Sequence, residues 1–188
     1  TLILSDMKRY FPNGKSIFMA YLKRPMFRYI FWLRVVNRLK QNRISKYSLA
    51  IVPYFILRHY QFKYGIHIGT STPIGSGLYI EHGDGVYLNV QSIGDNFTVY
   101  QGVTLGSSPN KGIPVVENNV TVYMGAKVFG DVTLKNNCVV GANAVVTHDV
   151  DENAVQLVEN PDHALVSLLL QKNAEIDLVI PRGGERLI

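Results

Sequence analysis

The side chains best suited to acid–base chemistry in this sequence surround His82, within the glycine-rich stretch IEHGDG. An imidazole has an ordinary pKa near 6.5, so at neutral pH it is able to take a proton from a hydroxyl group. Two carboxylates, Glu81 and Asp84, lie close enough in sequence to orient the ring or to stabilise its charged form. Taken alone, however, the same pattern also describes an ordinary surface histidine in a turn.

A period of six residues in the aliphatic side chains predicts the scaffold that holds His82. The series comprises Ile68, Ile74, Ile80, Val86, Ile93, Val99, Leu105, Val116, Val122, Val128, Leu134, Val140 and Val146. One extra residue precedes Ile93, and a five-residue insertion follows Leu105. No α-helix or flat sheet has this period, whereas a coil of three short strands per turn, about eighteen residues, requires it. His82 then lies on the exposed part of a turn, two positions after the inward Ile80.

Compact residues at fixed positions in the repeat support this prediction. Glycine often follows the inward aliphatic residue, as at Gly69, and a small apolar residue often lies four positions after it, as at Ala126. Such residues suit tight corners and a narrow triangular interior. Cys138 and Asp84 occupy the same small inward position. We therefore predict Cys138 as a core residue rather than a nucleophile, and Asp84 as an inward carboxylate that needs a partner.

Metal chemistry is not predicted. Catalytic zinc requires three protein ligands that converge from adjacent elements, and only His67 and His82 fall within the main turns of the repeat. His59, His148 and His163 lie outside these turns or at their far end. The single cysteine excludes an intrachain disulfide and fits a reducing cytoplasm. We therefore expect neither a metal ion nor a disulfide.

The first sixty residues form a basic segment. They contain twelve Lys and Arg residues and one acid, whereas residues 61–188 contain seven Lys and Arg residues and thirteen acids. Three interpretations compete: a helical cap on the first turn of the coil, peripheral attachment to the inner face of an anionic membrane, and nucleic-acid binding. No recognised module supports nucleic-acid binding, and the longest apolar run is too short to span a bilayer. We expect a cytoplasmic protein without a signal peptide.

Helical periodicity predicts two helices in this basic segment, one over residues 16–41 with an interruption at Pro25, and one over residues 45–60. Residues 1–15 are predicted to be a lead-in that ends in a Pro-Asn-Gly turn. Together with the repeat, these elements predict three regions. They are a basic helical N-terminal region (1–63), a β-helix domain (64–150) and a C-terminal tail (151–188).

Three segments resemble the hexapeptide-repeat acyltransferases, and most closely their serine acetyltransferase branch, including relatives that look like polysaccharide-cluster O-acetyltransferases. The segments are IGSGLYIEHGDGVYLN, VYQGVTLGSS and GANAVVTHDVDENAVQLVENP, and the resemblance covers about residues 64–161. It implies a mainly β fold, a left-handed parallel β-helix with a helical N-terminal region and a short C-terminal tail. It also implies acetyl-CoA as co-substrate, no metal, and a homotrimer with active sites between subunits.

The resemblance assigns His82 as the catalytic histidine, the general base that deprotonates an acceptor hydroxyl for direct attack on the thioester. The family commonly orients this histidine with a carboxylate at the position where this chain has His67. A neutral imidazole accepts a hydrogen bond, but it stabilises a developing imidazolium less than a carboxylate does. His67, as the positional equivalent, and Asp84, as the working partner, are therefore both candidates.

Small residues match the acyl-CoA groove of the family. Gly106 and Ser107 lie where backbone amides of family members approach the thioester. Gly125, Ala142 and Asn143 match turns that line the pantetheine arm. Small side chains suit this role because the arm must lie against the backbone of stacked corners. The resemblance therefore implies that these residues bind acetyl-CoA.

The residues around the acceptor depart from the serine acetyltransferase pattern. Glu81 matches an acidic residue that helps bind the amino-acid acceptor, but Gly112 and Ile113 replace an Arg-His pair. Lys111 is the remaining candidate partner for the carboxylate of serine, and it lacks the two-pronged geometry of a guanidinium. We therefore predict a sugar hydroxyl of a surface polysaccharide or its precursor as the acceptor. Serine O-acetylation in cysteine biosynthesis is the alternative.

A further alternative is a catalytically inactive, structural β-helix. His67 in place of a carboxylate permits this interpretation. So do residues 159–163, which lack the basic residue that the family's exit motif places near the CoA phosphates. The presence of His82 in a matching turn argues against it.

Overall fold

The computed structural model describes residues 1–14, 16–40, 49–107 and 112–152. In these ranges, four helices precede twelve short strands. The helices are α1 (Leu2–Tyr10), α2 (Ile17–Lys23), α3 (Pro25–Lys40) and α4 (Ile51–Tyr64). The strands are β1 (Ile66–Ile68), β2 (Tyr79–Ile80), β3 (Val86–Leu88), β4 (Ser92–Ile93), β5 (Thr98–Val99), β6 (Thr104–Gly106), β7 (Val115–Val116), β8 (Thr121–Val122), β9 (Lys127–Phe129), β10 (Thr133–Leu134), β11 (Val139–Val140) and β12 (Val145–Val146). The chain divides into two units, Thr1–Val155 and Gln156–Ile188, and all of these elements belong to the first.

Strands one turn apart pair in parallel, so the chain winds into a coil with three stacked sheets. The strand orders are β1-β3-β6-β9-β12, β4-β7-β10 and β2-β5-β8-β11. Inward aliphatic residues of successive turns lie opposite one another, as Ile80 and Val99 do, and Leu105 and Val128 do. The result is a parallel β-helix of about four turns. The period of six is therefore confirmed as the repeat of a coil.

The inward residues form the core of the coil because their apolar surface is removed from water. The aliphatic series is buried from Ile68 to Val140, and only Val146, in the last strand, is half-buried. Cys138 is fully buried, and this burial raises the pKa of its thiol to about 11. The predicted core role of Cys138 is thereby confirmed.

Asparagines form one set of corners between the sheets. Asn96, Asn119 and Asn137 adopt left-handed backbone conformations with φ of 56°, 58° and 59°, which asparagine tolerates better than most residues. The side-chain amide of Asn96 donates to Asn119 Oδ1 at 3.0 Å, and that of Asn119 donates to Asn137 Oδ1 at 3.0 Å. This ladder of amides ties successive turns together along one edge.

The helices differ in part from the prediction. The helix expected over residues 16–41 is present as α2 and α3, and Pro25 is the first residue of α3. The lead-in predicted for residues 1–15 is wrong over most of its length, because α1 forms there and buries its Met7 and Tyr10 in the common core. Ser45, the predicted start of the next helix, lies outside the described residues, and α4 continues to Tyr64.

A buried ion pair holds α1 and α3 against the first turn of the coil. Arg34 donates to both carboxylate oxygens of Asp6, from Nε at 2.8 Å and from Nη2 at 3.0 Å. The same carboxylate accepts the backbone N–H of Leu78 at 2.8 Å, and Arg34 Nη1 donates to the carbonyl oxygen of Ile74 at 2.7 Å. Both charges are thus compensated by hydrogen bonds, as burial requires. None of the described helices is long and apolar enough to cross a membrane.

Candidate functional site

His82 lies on the turn between β2 and β3. The inward Ile80 is fully buried, Glu81 is half-buried, and His82 is exposed. The backbone N–H of Glu81 donates to the carbonyl oxygen of Val99 at 3.0 Å. This bond ties the start of the His82 loop to the next turn of the coil. The predicted placement of the imidazole on the exposed part of a turn is therefore confirmed.

Asp84 does not occupy the inward position that the repeat predicts. It is exposed, and its φ of 62° places it in the left-handed region. Its backbone N–H donates to Tyr64 O at 2.6 Å, and its carbonyl oxygen accepts the N–H of Gly102 at 3.0 Å. Gly83 is buried instead, and a Cβ there would clash with Tyr64 O at the end of α4. The prediction of an inward carboxylate is wrong because α4 packs on this corner.

His67 is the central residue of β1 and is half-buried, in register with Tyr87 of β3. Its ring centroid lies 6.4 Å from that of Phe62 and 6.2 Å from that of Tyr87. The backbone of the His82 turn bonds to Tyr64 and Gly65, which directly precede β1. His67 and His82 therefore lie on different elements, β1 and the turn between β2 and β3.

A strip of bare backbone begins in the same turn as His82. Gly85, Gly102 and Gly125 are stacked in successive turns with φ of 81°, 71° and 72°. A Cβ on Gly85 would lie 3.6 Å from Gly102 Cα, and a Cβ on Gly102 would lie 3.5 Å from Gly125 Cα. Asn143 lies next along this strip, because its Oδ1 occupies the position that a Cβ on Gly125 would take. An extended ligand is able to lie flat against this strip.

The residues predicted to bind acetyl-CoA fall in two places. Gly125 and Asn143 belong to the glycine strip, and Ala142 is exposed next to Asn143. Gly106 ends β6 on the far side of the same sheet, where its carbonyl oxygen accepts the N–H of Gly130 at 3.0 Å. Ser107 follows it and is exposed. The structure therefore brings three of these residues together and places the other two at the next corner.

Glu81 lies beside a pair of stacked tyrosines that were not predicted from the sequence. Tyr100 and Tyr123 follow β5 and β8 at the equivalent position, with ring centroids 5.0 Å apart and an interplanar angle of 25°. Burial, reinforced by a hydrogen bond with Glu81, raises the pKa of Tyr79 to about 12. The repeat carried a signal for them, because Tyr100 and Tyr123 follow inward residues that pair with Ile80 and its successors, just as Glu81 follows Ile80.

Lys111 lies outside the described residues. Of its neighbours, Gly112 is exposed and Ile113 is half-buried. Across the described ranges, no group of three or more His, Cys, Asp or Glu side chains is arranged to hold a metal ion.

A polar cavity of about 280 Å³ opens beside His67, between α4 and the adjoining strands. Arg58 and Gln61 of α4 contribute to its wall, and neither was predicted from the sequence. Their polar character on a largely apolar helix was the available signal. A larger cavity, about 690 Å³, lies between α1, α3 and residues 70–74 and contains none of the predicted site residues.

Known proteins resemble the chain in sequence over much of its length. The serine acetyltransferase of Synechococcus elongatus is 34% identical over 142 residues, which is 73% of this chain and 55% of that protein. The serine acetyltransferase of Staphylococcus xylosus is 38% identical over 120 residues, 62% of this chain and 56% of that protein. The chain thus spans about half the length of the curated relatives it matches. No family model matches it.

Solved structures resemble the fold. Serine acetyltransferase isoform 3 of Entamoeba histolytica, in complex with cysteine, superposes with a TM-score of 0.66 at 26% identity, covering 89% of this chain and 63% of that one. The serine acetyltransferase of Neisseria gonorrhoeae, in complex with serine, gives a TM-score of 0.66 at 25% identity, covering 85% and 66%. These likenesses confirm the predicted left-handed parallel β-helix with helices at its N-terminal end.

Proposed function

Because the chain belongs to the hexapeptide-repeat acyltransferases, in their serine acetyltransferase-like branch, we propose that it is an acetyl-CoA-dependent O-acetyltransferase. The observation that carries this proposal is the position of His82. Its imidazole is exposed on a turn whose last glycine, Gly85, begins the strip of bare backbone. A base beside a groove for an extended thioester arm is the arrangement that acyl transfer to a hydroxyl needs.

In this proposal, His82 accepts the proton of the acceptor hydroxyl while the hydroxyl oxygen attacks the thioester carbonyl carbon. The carbon–sulfur bond then breaks, and the imidazolium returns the proton to the departing thiolate of CoA. Backbone N–H groups at Gly106 and Ser107 stabilise the negative charge that develops on the carbonyl oxygen. The glycine strip, with Ala142 and Asn143, holds the pantetheine arm. No metal ion takes part.

The active site of this proposal lies between subunits of a homotrimer. His67 lies in β1 and His82 on the turn between β2 and β3. His67, from the same subunit or from a neighbouring one, is one candidate for orienting His82. Asp84 remains a second candidate for orienting His82, since it lies in the same exposed turn.

We propose two acceptors and rank them by the strength of their support. L-Serine is the first, because the similar proteins are serine acetyltransferases. A sugar hydroxyl of a surface polysaccharide or its precursor is the second, because Gly112 and Ile113 stand where the branch carries its Arg-His pair. Glu81 is half-buried next to His82 and is proposed to bind either acceptor. Lys111 remains a candidate for binding the other end of the acceptor.

The basic N-terminal helices are proposed to cap the coil. The buried contacts of Asp6 and Arg34 with the first turn support this role. Peripheral membrane contact, with the protein in the cytoplasm, is the second proposal for this segment. It rests on α4, where Ile51, Phe55 and Phe62 are exposed beside Lys63. Binding to anionic lipid vesicles, compared with neutral vesicles, separates the two proposals.

The experiment that tests the proposed function is acceptor-dependent release of CoA from acetyl-CoA, followed with a thiol reagent. L-Serine, neutral sugars and sugar acids serve as acceptors, and mass spectrometry identifies the O-acetylated product. Release that requires an acceptor and yields its acetate ester supports the proposal. Absence of acceptor-dependent release with every acceptor contradicts it.

A further inference from the structure

The polar cavity beside His67 has the composition of a recognition site for a small polar molecule. Its walls include Tyr54, Arg58 and Gln61 from α4, with His67, Tyr87 and Asn89 from the coil. At about 280 Å³ it lies just below the range of roughly 300–1,000 Å³ that is typical of drug-sized ligands. It therefore suits a molecule the size of an amino acid or a single sugar.

Arg58 is the one Lys or Arg side chain among the described residues that line this cavity, and its guanidinium is held in place. Nη1 donates to Gln61 Oε1 at 3.1 Å, and the guanidinium carbon lies 4.6 Å from the ring centroid of Phe62. Gln61 is 5% exposed, so the group that orients Arg58 is itself fixed. A guanidinium oriented in advance binds an anion without the entropic cost of ordering a free side chain.

Among the described residues, no acidic side chain in the cavity opposes this charge. The part of the cavity wall that the structure describes contains neither Asp nor Glu. In the described part of the chain, the ion pairs are Asp6–Arg34 and Asp151–Lys135, and neither involves Arg58. The planar guanidinium matches a carboxylate with two parallel hydrogen bonds. The remaining polar groups, Asn89 and the hydroxyl of Tyr87 among them, suit hydroxyl or amino groups.

We propose that this cavity is the acceptor site and that Arg58 binds the carboxylate of a hydroxylated acceptor. The inference rests on the proposed function, and it supplies from α4 the guanidinium that the loop at Gly112 and Ile113 lacks. It also places the acceptor against His67, one of the two residues proposed to orient His82. The shared chemistry is a carboxylate beside a hydroxyl, found in free serine and in hexuronic acids.

The test compares carboxylate-bearing acceptors with neutral analogues of the same shape. L-Serine is paired with serinol, and D-glucuronate with D-glucose, in the CoA-release assay on the full chain. Arg58→Gln is expected to raise KM for the carboxylate-bearing acceptors roughly 10- to 100-fold, with kcat little changed. Arg58→Lys should recover part of the affinity, and KM for the neutral analogues should not move. Preference of the wild type for serine or for glucuronate identifies the source of the carboxylate.

Lys63→Gln is the matched control, since it removes an exposed cation from the same helix without touching the cavity. Equal KM values for wild type and Arg58→Gln with carboxylate-bearing acceptors overturn the inference, provided the variant melts like the wild type. If no acceptor supports CoA release, the proposed function fails, and calorimetry tests the cavity separately. Binding of serine or glucuronate that Arg58→Gln weakens then supports the carboxylate site. Binding that is unaffected, or absent, overturns it.

Discussion

The hydroxyl group of Tyr10 bonds both backbone polar groups of Ile80. It donates to the carbonyl oxygen at 2.7 Å and accepts the N–H at 3.0 Å. β2, which contains Ile80, is the terminal strand of its sheet, so these groups have no strand partner on that side. Ile80 precedes His82 by two positions. The first helix of the chain therefore completes the strand from which the His82 turn starts.

Removal of this hydroxyl should destabilise the protein and loosen the His82 turn. Tyr10→Phe leaves two buried backbone groups unpaired, so we expect the free energy of unfolding to fall by about 1–3 kcal/mol. Urea denaturation measures this change. Tyr123→Phe removes an exposed hydroxyl from a stacked ring and should cost much less. Equal losses in the two variants would show that the Tyr10 contact contributes little.

The Asp6–Arg34 pair should be essential for docking the helices on the coil. Both side chains are almost fully buried, so Asp6→Asn leaves an uncompensated guanidinium, and we expect a loss of about 3–5 kcal/mol. Arg34→Gln should cost a similar amount, and the double variant less than the sum. The exposed pair Lys135–Asp151 is the control. Strict additivity in the Asp6 and Arg34 cycle contradicts the expected coupling.

The inward residues of the coil could be predicted from the sequence, whereas these contacts could not. The period of six specifies which residues face inward, because each hexad repeats the same local geometry, and the buried series from Ile68 to Val140 follows it. Contacts such as those of Tyr10 and Arg34 join residues separated by 70 and 40 positions. No periodicity encodes them, since they depend on how α1 and α3 pack on the first turn.

The candidate site was likewise predictable only in part. Counting along the repeat places His82 on an exposed turn, and the structure agrees. The same counting places Asp84 inward, where the end of α4 displaces it and only Gly83 fits. It also relates His67 to His82 in sequence, although the two lie on different parts of the coil. The period of six predicts where a residue lies along the axis of the coil. It does not predict which helix packs against each face of the coil.

Cys138 should resist modification while the protein is folded. Burial raises the pKa of its thiol from 9.0 to about 11, and the thiolate is the reactive form. We expect slow reaction with a thiol reagent at pH 8 and fast reaction in urea. Because the unfolded thiol ionises first, the free energy of unfolding should decrease as the pH rises from about 9 to about 11. Cys138→Ala should lack this component, and rapid labelling of the native protein would contradict its burial.

A side chain on the glycine strip should obstruct acetyl-CoA. A Cβ on Gly102 lies 3.5 Å from Gly125 Cα, so it packs against the next turn of the coil, and we propose that it fills part of the strip that holds the pantetheine arm. We expect Gly102→Ala to raise KM for acetyl-CoA roughly tenfold, equivalent to about 1.4 kcal/mol, with KM for the acceptor unchanged. Gly14→Ala carries the same backbone strain, at φ 72° against 71°, far from the strip in sequence. An equal effect of both variants would attribute the change to strain alone.

The central claim is that His82 is the base that activates the acceptor hydroxyl. The direct test is acceptor-dependent CoA release by the wild type, His82→Ala and His148→Ala, each with the same acceptor and confirmed to be folded. His148 is also exposed, near the other end of the coil, and hydrogen bonds to Thr147 at 3.1 Å. We predict that His82→Ala lowers kcat/KM by roughly 10²- to 10⁴-fold, while His148→Ala retains wild-type activity. Acceptor-dependent release by His82→Ala at the wild-type rate would contradict the claim.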